Sequence, residues 1–123
     1  MRIGVDMVSI ARIAHSLSAS SMFASNVFAP SELKHAEQMP KRRAHEFLAG
    51  RFAAKEAVLK ALGTGFDDAI VLCDIEIITA EDGCPELQLS ASALCASELL
   101  GLSHWQVSIS HENDLAIAFV VAH

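Results

Sequence analysis

In the segment FLAGRFAAKEAVLKALGTG, at residues 47–65, eleven of the 19 residues are alanine or larger hydrophobic residues. Its spacing predicts a long helix from about Arg43 to Leu62, which Gly63 ends as a C-terminal cap. Drawn as a helical wheel, the segment is apolar around nearly its whole circumference. A helix of this kind is normally buried, so we expect the rest of the chain to pack around it.

Four charged side chains interrupt this apolar helix: Arg51, Lys55, Glu56 and Lys60. Arg51 and Lys55 share one narrow edge of the wheel, and Glu56 and Lys60 share a second. The ordinary interpretation is that Glu56 and Lys60 form an i,i+4 ion pair worth roughly 0.3 kcal/mol. The alternative is that these edges line a cleft, because a charge on a buried helix needs a partner.

Asp6 is a further charged residue in an apolar setting, since it lies in the predicted strand RIGVDMVS at residues 2–9. A salt bridge to one of the basic residues would satisfy it. The alternative is that Asp6 and Glu56 meet around a divalent cation, because two carboxylates are the usual protein share of a Mg²⁺ site whose other ligands are waters and substrate phosphates. The spacing alone leaves both interpretations open.

The remaining sequence predicts an α+β fold, a mostly antiparallel sheet with helices packed on one face, in a single domain over residues 1–123. Ser9 is predicted to cap a helix, and a second helix has Ser31 as its cap and Pro40 at its end. The predicted elements after the first strand are helices at 10–20, 29–39 and 43–62, a hairpin of strands 69–80 and 86–90, a helix at 91–101 and a hairpin at 105–122 with its turn at 111–114.

Charge is distributed unevenly along the chain. Residues 1–60 contain all nine Lys and Arg with five acids, a net of +4, whereas residues 61–123 contain ten acids and no base. The first half therefore either faces an anionic partner or pairs with the second half across the core.

Composition excludes several classes of protein. Few aromatic residues and no Tyr argue against a nucleic-acid-binding surface, and neither a membrane span nor a signal-peptide pattern is present. The three cysteines form no CxxC pair, which favours reduced thiols in the cytoplasm over a disulfide frame or a zinc site.

Three blocks of the sequence resemble one known family, the holo-[acyl-carrier-protein] synthases, which are short 4′-phosphopantetheinyl transferases. IGVDMVSIARI at residues 3–13 is similar to the opening block of that family, and FLAGRFAAKEAVLKALGTGF at 47–66 to its central helix and glycine loop. VSISHENDLAIAFVVA at 107–122 resembles its closing block, and Gly83-Cys84-Pro85 matches its Gly-x-Pro turn. The resemblance extends over the whole chain in the family's order.

The resemblance implies a reaction and its site. Phosphopantetheine is transferred from coenzyme A to a serine of an apo-acyl carrier protein, and adenosine 3′,5′-bisphosphate leaves. Asp6 and Glu56 are expected to hold Mg²⁺, and Lys60 to lie against the pyrophosphate as the candidate acid for the leaving group. The other implied coenzyme contacts are Arg51, Gly83, Pro85, Ser110 and His111. The implied carrier contacts are Arg12, Arg42 and Arg43.

Several points remain open at this level. The serine proton is removed by Glu56 or by a metal-bound water, and Gly63-Thr64-Gly65 either approaches a phosphate or only caps the helix. Members of the family commonly carry aromatic residues near Leu72 and Leu115, which this chain lacks. The family is homotrimeric with sites between subunits, and we expect the same here. The alternatives are the same chemistry on a specialised polyketide or secondary-metabolite carrier, or a non-catalytic module that binds coenzyme A or a carrier.

Overall fold

The computed structural model describes residues 1–64 and 69–123. No helix within these two ranges combines the length and the apolar character needed to cross a lipid bilayer. The elements in chain order are β1 (Arg2–Ser9), α1 (Ile10–Ala19), α2 (Ser21–Val27), α3 (Pro30–Glu37), α4 (Lys41–Leu62), a 3₁₀ turn (Leu72–Asp74), β2 (Ile75–Thr79), β3 (Pro85–Leu89), α5 (Ala91–Leu99), β4 (Trp105–Glu112) and β5 (Leu115–Ala122).

The strands form two antiparallel units. A three-stranded sheet has the order β1–β5–β4, and β2 and β3 form a separate hairpin beside it. In the larger sheet, Asp6 of β1 lies opposite Ala118 of β5, which in turn lies opposite Ile109 of β4. The predicted α+β class with a mostly antiparallel sheet is therefore confirmed.

The central strand β5 presents mainly alanine on the inner face of the three-stranded sheet, and α4 lies directly on this face. Ala116, Ala118 and Ala122 of β5 have no exposed surface, and the same is true of Ala53 and Ala57 of α4. Small side chains on both surfaces let the helix and the sheet approach closely. The sequence prediction that α4 is a buried helix is confirmed, since most of its residues from Phe47 onward are buried.

Two glycines set the path of α4 across the sheet. A Cβ atom on Gly4 of β1 would lie 1.9 Å from the carbonyl oxygen of Ala57, so only glycine permits this contact. A Cβ on Gly50 of α4 would lie 2.8 Å from Cγ2 of Ile109 on β4. The helix therefore crosses the sheet from β4, near Gly50, to the β1 edge, near Ala57.

The helix starts differ from the sequence prediction in two places, and α2 was not predicted. Ala29 and not Ser31 is the N-cap of α3, because the Glu32 carboxylate accepts the Ala29 N–H at 2.8 Å and performs the capping. Ser31 instead donates a hydrogen bond to Glu76. α4 begins at Lys41, directly after Pro40, whose fixed φ suits a helix entrance.

The predicted strand at residues 69–80 is shorter in the structure and begins at Ile75. Before it, the Leu72 carbonyl accepts a hydrogen bond from Lys55 Nζ at 3.1 Å, and this bond turns the chain toward α4. Gly63 is confirmed as the C-terminal cap of α4, with a φ of 78°. Gly65, which belonged to the predicted glycine loop, lies outside the described residues.

Replacing Gly4 by alanine tests the contact between β1 and α4. We expect Gly4→Ala to destabilise the protein by about 3 kcal/mol, because the rigid carbonyl of Ala57 cannot move without shifting the helix. Gly50→Ala is the matched control. It should cost less than about 1 kcal/mol, since a side-chain methyl can shift and alanine favours the helix. Urea unfolding measures both, and equal midpoints for the two variants would contradict the packing described here.

Candidate active site

Asp6, Glu56 and Lys60 meet where α4 crosses the β1 edge of the sheet. The Lys60 ammonium lies 3.0 Å from Asp6 Oδ1 and also donates to the Val5 carbonyl at 3.0 Å. The Lys60 side chain is 55% exposed and that of Asp6 is 17% exposed, while Glu56 is buried. Two acids that are fifty residues apart in the sequence therefore share one cleft with one ammonium group.

The electrostatics of this cleft favour a cation. The pKa of Glu56 is raised above its ordinary value, first by burial and then by the nearby charge of Asp6, and Lys60 opposes the increase. The two carboxylates are therefore close enough to repel each other, and one lysine does not neutralise both. Within residues 1–64 and 69–123, no three His, Cys, Asp or Glu side chains are placed so that they could hold a metal ion together, so a cation here would take its other oxygens from substrate or water.

Arg51 lies one and a half turns before Glu56 on α4 and is buried. Its guanidinium stacks on the Phe47 ring at 4.1 Å and donates to Thr79 Oγ1 at 2.7 Å. Within the described residues its Nε atom has no hydrogen-bond partner. Burial lowers the pKa of Arg51 to about 10, with Glu32 opposing this and Arg43 adding to it. A buried cation with an unused donor is suited to contact an anion.

The hairpin residues that the resemblance assigns to the coenzyme lie near Arg51. Thr79, which Arg51 contacts, is paired with Pro85 across the β2–β3 hairpin. Gly83 lies in the turn of the same hairpin and has a φ of 88°. The structure therefore brings Arg51 and the Gly-x-Pro turn to the same region of the protomer.

Ser110 and His111 lie on β4, which is the opposite edge strand of the three-stranded sheet from β1 and Asp6. They are consecutive in β4, so their side chains point to opposite faces of the sheet. His111 Nδ1 is 3.7 Å from a carboxylate oxygen of Glu46, near the start of α4. Glu46 precedes Glu56 by ten residues, which is about 15 Å along a helix.

The three arginines predicted to contact a carrier protein are exposed. Arg12 lies on α1, and Arg42 and Arg43 lie in the first turn of α4. Arg42 also lines a cavity of about 480 Å³ between α1, the start of α4 and the β4–β5 turn, together with His45 and Asp114. The structure thus places basic side chains at the rim of a concave surface.

Charge pairing resolves one of the alternatives that the sequence left open. Among the described residues, every ion pair of a Lys or Arg has its acid within the first sixty residues. The basic first half and the acidic second half are therefore not neutralised by direct ion pairs across the core. This distribution favours the interpretation that basic side chains face an anionic partner.

One buried ion pair was missed by sequence reasoning. Lys55 and Glu32 have fully buried side chains and lie 2.9 Å apart. Lys55 Nζ also donates to the Leu72 and Ile75 carbonyls, and Glu32 accepts the Ile77 N–H at 2.9 Å. Burial lowers the pKa of Lys55, and Glu32 opposes the decrease.

The Lys55–Glu32 pair joins α3, α4 and the start of β2, and all three donors of the ammonium are used. Lys55 therefore holds the hairpin against the helix, while Lys60, five residues later, has a side chain that is 55% exposed. The signal in the sequence was the glutamate three residues after Ala29, the capping position of a helix that begins with Pro30.

Comparison with known proteins places this geometry in a family. Residues 2–120 match the model of the 4′-phosphopantetheinyl transferase superfamily. A holo-[acyl-carrier-protein] synthase of Clostridium tetani is 41% identical over 119 residues, which are 97% of this chain and 92% of that protein. The corresponding protein of Hydrogenovibrio crunogenus is 40% identical over 121 residues, which are 98% of this chain and 94% of that protein.

Solved structures agree with these sequence relatives. The crystal structure of the Neisseria meningitidis holo-[acyl-carrier-protein] synthase has a TM-score of 0.87 at 37% identity and covers 99% of this chain and 97% of its own. The Helicobacter pylori synthase, solved in complex with coenzyme A, has a TM-score of 0.84 at 32% identity. The match covers 98% of this chain and 99% of the Helicobacter pylori chain. With matches of this extent in sequence and in fold, this chain belongs to the holo-[acyl-carrier-protein] synthase family of the 4′-phosphopantetheinyl transferase superfamily.

Proposed function

We propose that this chain transfers the 4′-phosphopantetheine group of coenzyme A to a serine hydroxyl of an apo-acyl carrier protein and releases adenosine 3′,5′-bisphosphate, as one transferase domain. The observation that carries the proposal is the meeting of Asp6, Glu56 and Lys60 in one cleft. The family relatives named above are holo-[acyl-carrier-protein] synthases, and one of them was solved with coenzyme A. The product carrier would serve fatty acid synthesis in the cytoplasm.

Asp6 and Glu56 are the residues that would hold Mg²⁺. Their fit rests on two hard oxygen donors. Burial, and then repulsion from Asp6, raise the pKa of Glu56, and a dication would relieve that repulsion. When bound, the ion supplies Lewis-acid charge that neutralises the oxygens of the coenzyme pyrophosphate.

Lys60 is proposed to stabilise the departing bisphosphate. Its half-exposed ammonium can leave Asp6 and reach a phosphate oxygen without unfolding any element. There it would neutralise the charge that develops on the leaving group and donate a proton to it. The serine hydroxyl attacks phosphorus and gives its proton to Glu56 or to water, and the bond from that phosphorus to the bridging oxygen of the pyrophosphate breaks.

The nucleotide end of coenzyme A is assigned to Arg51 with Gly83 and Pro85. The support is the unused Nε donor of buried Arg51 and its contact with Thr79 at the end of the hairpin. Ser110 and His111 are assigned to the same ligand, but from a neighbouring subunit. His111 lies beside Glu46, and Glu46 lies about 15 Å along α4 from Glu56. This separation within one chain supports a site between subunits.

A homotrimer is proposed because the outer face of the three-stranded sheet is apolar and exposed. The large hydrophobic residues on this face are Ile3, Val5, Met7, Leu115, Ile117 and Phe119, each at least 40% exposed. In the register of the sheet, Val5 lies beside Phe119 and Met7 beside Ile117, so these side chains form one continuous patch. A patch of this kind marks an association surface. Ser110, opposite Ile117, would then lie at the neighbouring subunit.

The carrier protein is assigned to Arg12, Arg42 and Arg43. These side chains are exposed, and Arg42 lines the cavity between α1 and the start of α4. Acyl carrier proteins are acidic, and a chain of net charge −6 needs a local basic surface to bind one without repulsion.

Removing the carboxylate of Glu56 tests the chemistry. We expect Glu56→Gln to lower the transfer rate at least about 100-fold, because a charge needed in the transition state is lost while the side-chain shape is kept. The mass of an apo-carrier incubated with coenzyme A and Mg²⁺ measures transfer, and a chelator should also stop it. Glu37→Gln, at an exposed site on α3, is the control. Rates equal to wild type in Glu56→Gln, with unchanged circular dichroism, would remove Glu56 from the site.

Reversing the charge of Arg43 tests the carrier surface. Arg43→Glu should raise KM for the carrier roughly tenfold, with little change in kcat, and should weaken the dependence of KM on salt. Lys34→Glu makes the same change in net charge at an exposed position of α3 and should leave KM near wild type. An identical KM in Arg43→Glu and Lys34→Glu would contradict a specific basic surface.

A charge on the apolar face tests the assembly. Phe119→Glu should convert a trimer to monomers, because a carboxylate buried between subunits is strongly unfavourable. Light scattering after size-exclusion chromatography measures the mass. Met22→Glu, at an exposed position of α2, should remain trimeric. A wild-type protein that elutes as a monomer would refute the assembly.

A further inference from the structure

Lys60 and a divalent cation have the same target in this protein, the Asp6 carboxylate. We infer that they compete for it, so that the free enzyme binds the cation weakly and coenzyme A raises the affinity by drawing Lys60 onto its phosphates. The inference rests on the proposed cation site at Asp6 and Glu56. It concerns a second role of Lys60, as the residue that couples the loading of metal and coenzyme.

The contact geometry is the first step. Lys60 Nζ donates a hydrogen bond to Asp6 Oδ1 at 3.0 Å, and a second hydrogen bond to the Val5 carbonyl holds it in this position. Among the described residues, Lys60 is the ion-pair partner of Asp6. A cation that used the same carboxylate would place its charge beside an ammonium that is already in contact with that carboxylate.

The charge balance is the second step. Asp6, Glu56 and Lys60 together carry a net charge of about −1, and a dication would make this cleft net positive. The cleft is partly enclosed, since Glu56 is buried and Asp6 is only 17% exposed, so water screens this repulsion incompletely. The pyrophosphate of coenzyme A restores the balance, because its negative oxygens can accept both the cation and the lysine.

Mobility is the third step, and it separates Lys60 from Lys55. Lys55 is fully buried and uses all of its donors within the fold, so it cannot respond to a ligand. Lys60 is 55% exposed and gives up one ion pair and one backbone hydrogen bond when it moves. Binding of coenzyme and of metal should therefore each strengthen the other by the same factor.

Binding of Mn²⁺ to the free protein, followed by electron paramagnetic resonance, tests the inference without catalysis. Lys60→Met keeps the length of the side chain and removes its charge. It should bind Mn²⁺ about tenfold more tightly than wild type, which is about 1.4 kcal/mol. Lys41→Met is the matched control, because it removes the same charge about 28 Å away along α4 and should change the affinity less than twofold.

A second titration in saturating coenzyme A, corrected for Mn²⁺ bound by coenzyme alone, measures the coupling. Coenzyme A should increase the Mn²⁺ affinity of both proteins, and the factor of increase should be about tenfold larger for wild type than for Lys60→Met. Lys60→Gln repeats both titrations in case the methionine variant folds poorly.

The outcomes separate the inference from the proposed function. Asp6→Asn should weaken Mn²⁺ binding in every background, and if it does not, the proposed cation site itself is wrong and the inference falls with it. If Asp6→Asn weakens binding but the Lys60 variants bind Mn²⁺ no more tightly than wild type, the competition alone is refuted and the site stands. An equal coenzyme coupling in wild type and the Lys60 variants would also overturn the inference.

Discussion

The site depends on one close contact, the approach of the Ala57 carbonyl to Gly4. Without a side chain at position 4, the backbone of α4 lies directly on β1, and the last turns of the helix come level with Asp6. A larger residue would separate the two elements and with them Asp6 from Glu56. The alanines of both surfaces extend the same close packing across the sheet.

The four charged side chains in the apolar part of α4, from Phe47 to Leu62, find their partners in different ways. Lys55 is neutralised inside the fold by Glu32, which fixes the start of β2. Arg51 is partly satisfied by Phe47 and Thr79 and keeps one unused donor. Glu56 and Lys60 lie at the β1 edge beside Asp6, where a single lysine leaves negative charge in excess. The position of each charge along one helix therefore separates the structural role of Lys55 from the ligand-binding role proposed for Glu56 and Lys60.

The sequence was most informative where the evidence was local or carried by the family resemblance. The apolar circumference of α4 and its end at Gly63 follow from spacing, and both are confirmed. The cap of α3 was wrongly assigned to Ser31, although Glu32, which accepts the Ala29 N–H, holds the local capping-box position. What the local pattern does not contain is the pairing of Glu32 with Lys55 and with the Ile77 N–H. Those partners are more than twenty residues away, so no local pattern could reveal them. The late start of β2, at Ile75 instead of residue 69, also involves a distant partner, because Lys55 of α4 donates hydrogen bonds to the Leu72 and Ile75 carbonyls.

The protomer has two unmet requirements, and one association would answer both. Its sheet exposes a continuous apolar face that includes Val5 and Phe119, at a cost that burial against another subunit would remove. Its residues predicted to contact coenzyme lie at two separated ends of α4, with His111 beside Glu46 and the acids beside Lys60. Since Ser110 borders the apolar face, a neighbour packed on that face would receive Ser110 near its own cleft. Stability and completion of the site would then have the same physical origin, and the isolated protomer would be both less stable and inactive.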